Sequence, residues 1–462
     1  MLRSRKGSLS VLRASVVNLI LSLCPMEEIE ILACDLNGIL RGKRVPREQL
    51  DKVHKEGMKF PRSILALDIW GEDVLANGVT WERGDGDGVC LPCGPLLPMM
   101  WGEQPRSQIL ATMFEPDGAP FMGDPRQILK AVVEQCRADG YTPVVALELE
   151  FYLMGGESVA QGRPAPPKAP VSGYELDSPR VYAMDELSEF SAVLSAMRRA
   201  CAGLGLPTES IMVENGRGQF EITLTHQADA LLAADHAILL KRAVRGVARD
   251  FGLHGTFMAK PYGDSAGSGL HVHCSLLDEA GRNLFDDGTE AGSPLLRSAV
   301  AGLLAAARES FLIFAPNANS YRRFVSNAHA PVSGSWGYEN RSAAVRIPMG
   351  APAARRFEHR LAGADANPYL VTAALLAAML HGVRAKDVPP PPIDGNGYED
   401  ATQPPLPRDW LAAIEAFERG TVLEPYLGPV FRRAFAACKR QEREVLERRV
   451  TDVEYQTYLG PL

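Results

Sequence analysis

Lys260-Pro-Tyr-Gly-Asp-Ser-Ala-Gly-Ser-Gly-Leu-His-Val-His-Cys-Ser275 is the stretch on which the reading of this chain turns. It joins a glycine-rich loop to a strand, and alternation along that strand puts His271, His273 and Ser275 on one face. Glycines let backbone N–H groups come close to an anionic ligand, and imidazoles can hold a metal or a phosphate. A pair of zinc ligands, or two ordinary hydrogen-bonded histidines, would give the same pattern. The surrounding sequence has to discriminate.

The 462 residues suffice for a large core and more than one domain. A net charge of −7 on an ordinary globular composition argues against nucleic acid as a partner. No apolar run reaches the length of a membrane span, so no membrane partner is expected. Eight cysteines are scattered, with one close pair in Cys90-Leu-Pro-Cys93. A single such pair is weak evidence for zinc, and reduced thiols in a cytoplasmic protein fit better. Arg3, Arg5 and Lys6 precede an apolar run over 16–23 that mimics a signal peptide. Arg13 and Asn18 interrupt it and no small-x-small cleavage site follows, so residues 1–25 read as a disordered extension or an upstream mis-start.

Residues 26–122 alternate short apolar segments with Gly and Asp turns such as Gly84-Asp-Gly-Asp-Gly88, which predicts a small, mainly β domain. Residues 123–462 form a larger second domain. A helical pattern over 128–139 stops at Gly140 and is followed by an apolar strand over 144–153. The Gly-, Pro- and Ala-rich segment 155–171 predicts an exposed excursion. Helical periodicity returns over 184–204, 228–251, 293–314, 368–383 and 407–447.

The strand after Gly140 contains Glu148-Leu-Glu150, two acids on one face of an apolar segment. Like charges about 4 Å apart repel by roughly 4 kcal/mol at an effective dielectric near 20, so something cationic should face them. A second strand, Gly218-Gln-Phe-Glu221, carries another inward acid, with Glu209 and Glu214 upstream. A third, Arg356-Phe-Glu-His-Arg360, puts Glu358 and Arg360 on a shared face. Each acid alone could be a salt-bridged strand residue. Together, an oxygen-rich set with few imidazoles and no thiolate selects Mg²⁺ or Mn²⁺ over Zn²⁺. Arg322-Arg323, Arg341 and Arg346 supply guanidiniums suited to carboxylates and phosphates. Metals, arginines and a glycine loop describe phosphoryl transfer, without the Gly-x-x-x-x-Gly-Lys loop of Walker-type ATPases.

Glu148-Leu-Glu150, Glu214 to Glu221, Lys260 to His273, Asn319 to Arg323, Asn340-Arg-Ser342 and Glu358-His-Arg360 occur in one order that resembles the glutamine synthetase superfamily. The resemblance covers nearly everything after Met26. It implies an α+β fold, with an N-terminal β-grasp domain and a catalytic domain whose antiparallel sheet forms a half-barrel flanked by helices. It also implies a homododecamer of two stacked rings with active sites between subunits. Glu150, Glu214 and Glu221 are similar to the ligands of one divalent ion, and Glu148, His271 and Glu358 to those of a second. The resemblance implies ATP as co-substrate and roughly two or three Mg²⁺ or Mn²⁺ ions per site. Glu209, His273, Ser275 and Arg346 resemble ATP contacts, Gly267, Arg323 and Arg360 glutamate contacts, and Arg341 a catalytic residue touching both ligands. Asp87 falls where the family sends an aspartate into the adjacent subunit to deprotonate the incoming amine. An alkylamine, with a reference pKa of about 10.4, needs such a base.

Two positions depart from the ammonia-using members. His329, in Ala328-His-Ala-Pro331, stands where those enzymes carry a flap glutamate, and Ala266 stands where they commonly carry asparagine. Both features resemble the γ-glutamylpolyamine synthetases, with glutamate, ATP and an amine such as putrescine as substrates and a role in polyamine breakdown. Trp336 could offer an aromatic wall to an alkylammonium chain, or simply pack within its loop. Glutamine synthetase itself and a non-catalytic structural relative are the alternatives. Tyr398 lies where some bacterial members are adenylylated, but in a different context, so that control is not expected.

Overall fold

The computed structural model describes residues 28–325, 328–399 and 402–462. The expectation for residues 1–25 lies outside them. Six strands, β1 (Glu28–Cys34), β2 (Leu40–Pro46), β3 (Met58–Pro61), β4 (Asp87–Pro92), β5 (Leu97–Met99) and β6 (Arg106–Phe114), form the N-terminal sheet. Its order is β2-β1-β6-β4-β3, with β5 also on β6; β1 and β6 run parallel and the other pairs antiparallel.

The second sheet holds β7 (Thr142–Gly155), β8 (Thr208–Val213), β9 (Gln219–Leu224), β10 (Leu253–Thr256), β11 (Leu270–Leu277), β12 (Trp336–Tyr338), β13 (Val345–Ile347) and β14 (Phe357–His359). Its order is β12-β13-β14-β11-β7-β9-β8, with β10 also on β7. All pairs are antiparallel except β12 with β13. One face of β7 is wholly apolar: Val145, Leu147, Leu149, Phe151 and Leu153 are fully buried. Burying that face fixes the register, because a one-residue slip would invert both faces. It therefore also fixes where Glu148 and Glu150 emerge.

Helices Pro125–Ala138, Ala230–Asp250, Pro294–Phe314 and Pro368–Ala385 pack behind the sheet. The last is long and apolar enough to cross a membrane, contrary to the reading of the sequence, but 83% of the relevant window is buried inside the fold. It is a core helix. The single helical run predicted over 407–447 is three helices, Trp410–Arg419, Glu424–Leu427 and Pro429–Glu447. Gly420 ends the first with an extended backbone, and Gly428, at φ 75°, separates the other two. The excursion at 155–171 begins with a short helix, Gly156–Ala160, and pins Ala169 into the interior.

Asn367 ties the loop after β1 to the start of the helix Pro368–Ala385. Its side chain accepts from Tyr369 N as a helix cap and donates to the Asp35 carbonyl at 2.9 Å. The two central helices cross at paired glycines. A Cβ on Gly302 would lie 2.1 Å from the Ala378 carbonyl, and one on Gly382 would lie 2.1 Å from that of Ser298. Gly302→Ala or Gly382→Ala should therefore lower stability by about 2 kcal/mol or more, because overpacking exceeds the roughly 1 kcal/mol gained in helix propensity. A thermal midpoint equal to or above that of the parent would contradict this packing.

Candidate active site

Strand pairing brings the acids and imidazoles together. Glu148 lies opposite His271 across β7 and β11, Glu150 opposite Glu221 across β7 and β9, and His273 opposite Glu358 across β11 and β14. His273 Nε2 is 2.9 Å from Glu148 Oε1, and His271 Nδ1 is 3.5 Å from Glu148 Oε2. Arg356 Nε donates to His273 Nδ1 at 3.1 Å, which assigns the proton on Nε2 to the Glu148 side. Burial opposes ionisation of Glu148, but hydrogen bonds from His271 and His273 hold its carboxyl well below the usual range.

Glu358 is almost fully buried and receives Arg346 Nη1 at 2.7 Å and Arg360 Nη1 on its other oxygen. Against the upward push of burial, Arg360 and then the two histidines bring it down to about 2. Glu150 is held by Gly269 N at 2.9 Å and by Gln219 Nε2 at 3.1 Å. Among the described residues, Glu221 has only the Thr223 hydroxyl, at 3.2 Å. Burial, with Glu148, Glu150 and Glu214 nearby, raises it to about 9. Burial and Glu150 likewise raise Glu214 to about 7.

The glycines of the 260–275 loop are demanded by close approach. A Cβ at Gly267 would fall 2.6 Å from the Arg323 side chain and 2.8 Å from the Ala259 carbonyl. One at Gly269 would fall 2.9 Å from both Arg323 Nη2 and His271 Nε2. Arg323 is buried with Nη1 on the Leu361 carbonyl at 2.8 Å, and burial lowers its pKa from the ordinary arginine value. Tyr152 anchors the loop by donating to the Ala266 carbonyl at 2.6 Å.

Two cavities flank this cluster. The first, of about 410 Å³, is lined by Glu150, Glu214, Glu221 and His271 together with Gly267, Arg323, Arg341 and Arg360. The second, of about 500 Å³, holds Glu209, His273 and Ser275. Glu148 lines both. Glu358 and Arg346 sit behind these walls, with Arg346 Nη2 also on Glu339 at 2.9 Å. Asp87 lies exposed on the N-terminal sheet and lines neither cavity. His329 lines the first cavity, in a left-handed turn at φ 58°.

The metal-capable groupings differ from the division that the family resemblance implies. Nitrogen and oxygen atoms of Glu148, His273 and Glu358 fall within 4.8 Å of one another, and so do those of Glu148, Glu221 and His271. Glu148 stands between the two imidazoles, one pleat apart, so its carboxylate belongs to both groups. The carboxylate-rich donors, and the buried acid Glu221 with no cationic partner in hydrogen-bond range among the described residues, fit divalent cations with a preference for oxygen.

Of the two alternatives for Trp336, the structure has the packed one. It is buried, donates its indole N–H to the Pro390 carbonyl at 2.7 Å and meets Tyr338 edge-on, so it packs within its loop and lines neither cavity. The apolar wall of the first cavity comes instead from Val181, Tyr182 and Met212. These residues follow a Pro- and Gly-rich segment or sit on an edge strand, and no periodic pattern marks them. Gln219 and Arg356, which lie within two of the acid-bearing motifs but carry no role in the sequence reading, hold Glu150 and His273.

Residues 122–458 match the family described as glutamine synthetase, catalytic domain. The chain belongs to this family. It is 40% identical over 432 residues to gamma-glutamylputrescine synthetase PuuA of Escherichia coli K12, covering 93% of this chain and 91% of that protein. It is 34% identical to gamma-glutamylethanolamide synthetase GlnA4 of Streptomyces coelicolor, with 91% and 90% covered. It is also 34% identical to glutamate–isopropylamine ligase of a Pseudomonas species, with 84% of each chain covered. The solved structure "GmaS/ADP complex-Conformation 1" superposes with a TM-score of 0.83 at 29% identity, covering 96% of this chain and 99% of that one.

The raised carboxyls have a consequence for pH. A carboxyl whose folded value stands above its unfolded one keeps its proton preferentially in the folded state. Its contribution is full below about 4.5 and is lost as pH rises towards about 9. The metal-free protein should therefore lose thermal stability between pH 5 and 9, whereas the increment from added Mn²⁺ should grow over that range. Glu221→Gln should flatten the metal-free profile. A pH-independent Mn²⁺ increment would contradict the assignment.

Proposed function

We propose that this protein joins the γ-carboxylate of glutamate to a primary amine at the expense of ATP, with putrescine or a related polyamine as acceptor, in polyamine breakdown. The observation that carries the choice of acceptor is the wall of the first cavity, where His329 occupies the turn and Val181, Tyr182 and Met212 give an apolar lining. Such a wall suits methylenes, and an ammonium ion has no use for it. Three relatives named for γ-glutamylation of amines, at 34–40% identity, support the same reading.

In this reading Arg323, Arg360 and the backbone at Gly267 hold glutamate, and Arg341 faces both its γ-carboxylate and the ATP phosphates. Glu209, His273, Ser275 and Arg346 serve the nucleotide side. Glu148, Glu150, Glu214, Glu221, His271 and Glu358 would hold Mg²⁺ or Mn²⁺, which when bound neutralises phosphate oxygens. A γ-carboxylate oxygen attacks the terminal phosphorus, and the bond to ADP breaks. Asp87 of a neighbouring copy takes a proton from the ammonium group, the freed amine attacks the acyl carbon, and phosphate leaves. The exposed position of Asp87 outside both cavities supports an action in trans. We place this chemistry in a cytoplasmic dodecamer.

Phosphate release with glutamate, ATP and Mg²⁺ should be fastest with putrescine or spermidine and slow with ammonium. Ammonium as the best acceptor would overturn the reading, and no release with any amine would favour a structural relative. His329→Glu should raise ammonium use relative to diamine use, and an unchanged ratio would remove His329 from the acceptor site. Asp87→Asn should lower turnover about 100-fold or more. If the site is shared, co-assembly of Asp87→Asn with Glu358→Gln subunits should restore roughly a quarter of the parental activity by random mixing. Two inactive variants that stay inactive together would place Asp87 in its own subunit's site.

A further inference from the structure

Glu339 stands two residues before Arg341, which lines the first cavity, yet it lines neither cavity itself. Its backbone is left-handed, at φ 50°, just after β12. That conformation is uncommon for a long side chain, and glycine would adopt it at lower cost. Such strain persists where the surrounding structure insists on it, and it gathers at functional sites. What glycine would lack at this position is the carboxylate.

Both oxygens of that carboxylate are engaged. Oε2 accepts from Arg346 Nη2 at 2.9 Å, and Oε1 accepts from the backbone N–H of Met349. Arg346 is itself shared, because its Nη1 donates at 2.7 Å to Glu358, whose other oxygen accepts from Arg360. Without Glu339 the guanidinium would be free to turn its fork onto Glu358 alone. Met349 opens a turn, 349–354, whose residues are all exposed, so hydrogen bonds rather than packing hold it. Its far end, at Ala353 and Ala354, lines the second cavity. That end is fixed by Asn283 Nδ2, which donates to the Ala353 and Arg355 carbonyls at 3.2 and 2.8 Å, and by Arg356, which joins the Ala354 carbonyl at 3.2 Å to His273 Nδ1. The near end is held by Glu339.

We infer that Glu339 is a positioning residue for the nucleotide: it holds Arg346 between two carboxylates and pins the near end of the turn that rims the second cavity. The inference rests on the reading above that gives Arg346 and the second cavity to ATP. The Glu339 side chain is 40% exposed against 12% for Arg346, so the pair sits at the rim and is partly screened. Its loss should therefore weaken nucleotide binding without abolishing it.

The test compares Glu339→Gly, which suits the left-handed backbone and removes the carboxylate, with Glu339→Gln, which keeps an acceptor oxygen without the charge. Glu339→Gly should raise the KM for ATP about five- to ten-fold and leave the KM for glutamate unchanged. It should also shrink the rise in thermal midpoint given by ADP with Mg²⁺, while the midpoint of the ligand-free protein holds. Glu339→Gln should fall between the parent and Glu339→Gly in both measures. A Glu339→Gly enzyme with an unchanged ATP KM and the full ADP-dependent rise, or with ATP and glutamate KM values rising together, would overturn the inference alone. A parent protein whose midpoint ADP with Mg²⁺ does not raise would overturn both the inference and the nucleotide assignment beneath it. A parent that binds ADP but releases no phosphate with glutamate and any amine would overturn the ligase reading alone, because the ADP measurement needs no turnover.

Discussion

The crowding of carboxylates on one sheet face is the constraint to which the rest of the structure answers. Glu148 and Glu150 project from β7, Glu221 from the neighbouring β9 and Glu358 from β14 on the far side of β11, with Glu214 just beyond β8. Mutual repulsion of several kcal/mol would push such strands apart if nothing opposed it. Three kinds of balance are present. Arg346 and Arg360 neutralise Glu358, the two imidazoles share Glu148, and burial with neighbouring acids pushes Glu221 and Glu214 towards the uncharged form. Beneath this face the apolar side of β7 is sealed against the helices, which denies the strands freedom to separate.

Such a balance is costly to build and useful to keep. A site that must neutralise the charge of a nucleotide needs a preorganised counterpart, because reorganising dipoles during the reaction would forfeit much of the benefit. The glycine loop shows the same logic from the backbone side. Gly267 and Gly269 carry no Cβ because Arg323 and His271 occupy the space one would fill. What a sequence reader takes for a phosphate-cradling loop is equally a groove cut for one arginine.

Much of this site was legible in the sequence, because strand periodicity is short and strict. Glu148-Leu-Glu150, His271-Val-His273 and Glu358-His-Arg360 each declare a shared face by their spacing of two, and all three pairs do share one. What spacing along one strand cannot convey is register across strands. The double reach of Glu148 depends on His271 lying opposite it while His273 lies one pleat further on. Loops carry less information still. Trp336 turns inward because the Pro390 carbonyl awaits its N–H, and Tyr182 reaches the cavity from a segment without any periodic pattern. The long C-terminal helical run was misread because its glycines interrupt the backbone without disturbing the apolar spacing.

Glu148 is a party wall: one carboxylate faces both the chamber with the three arginines and the chamber with His273 and Ser275. Charge arriving on either side changes the potential at the same two oxygens, and the imidazoles that share them must redistribute. Occupancy of one chamber is then felt in the other without any movement of the backbone. By thermodynamic reciprocity, whatever a ligand in one chamber does to the affinity of the other, a ligand there does equally in return. The coupling between the two chambers is thereby carried by a single side chain.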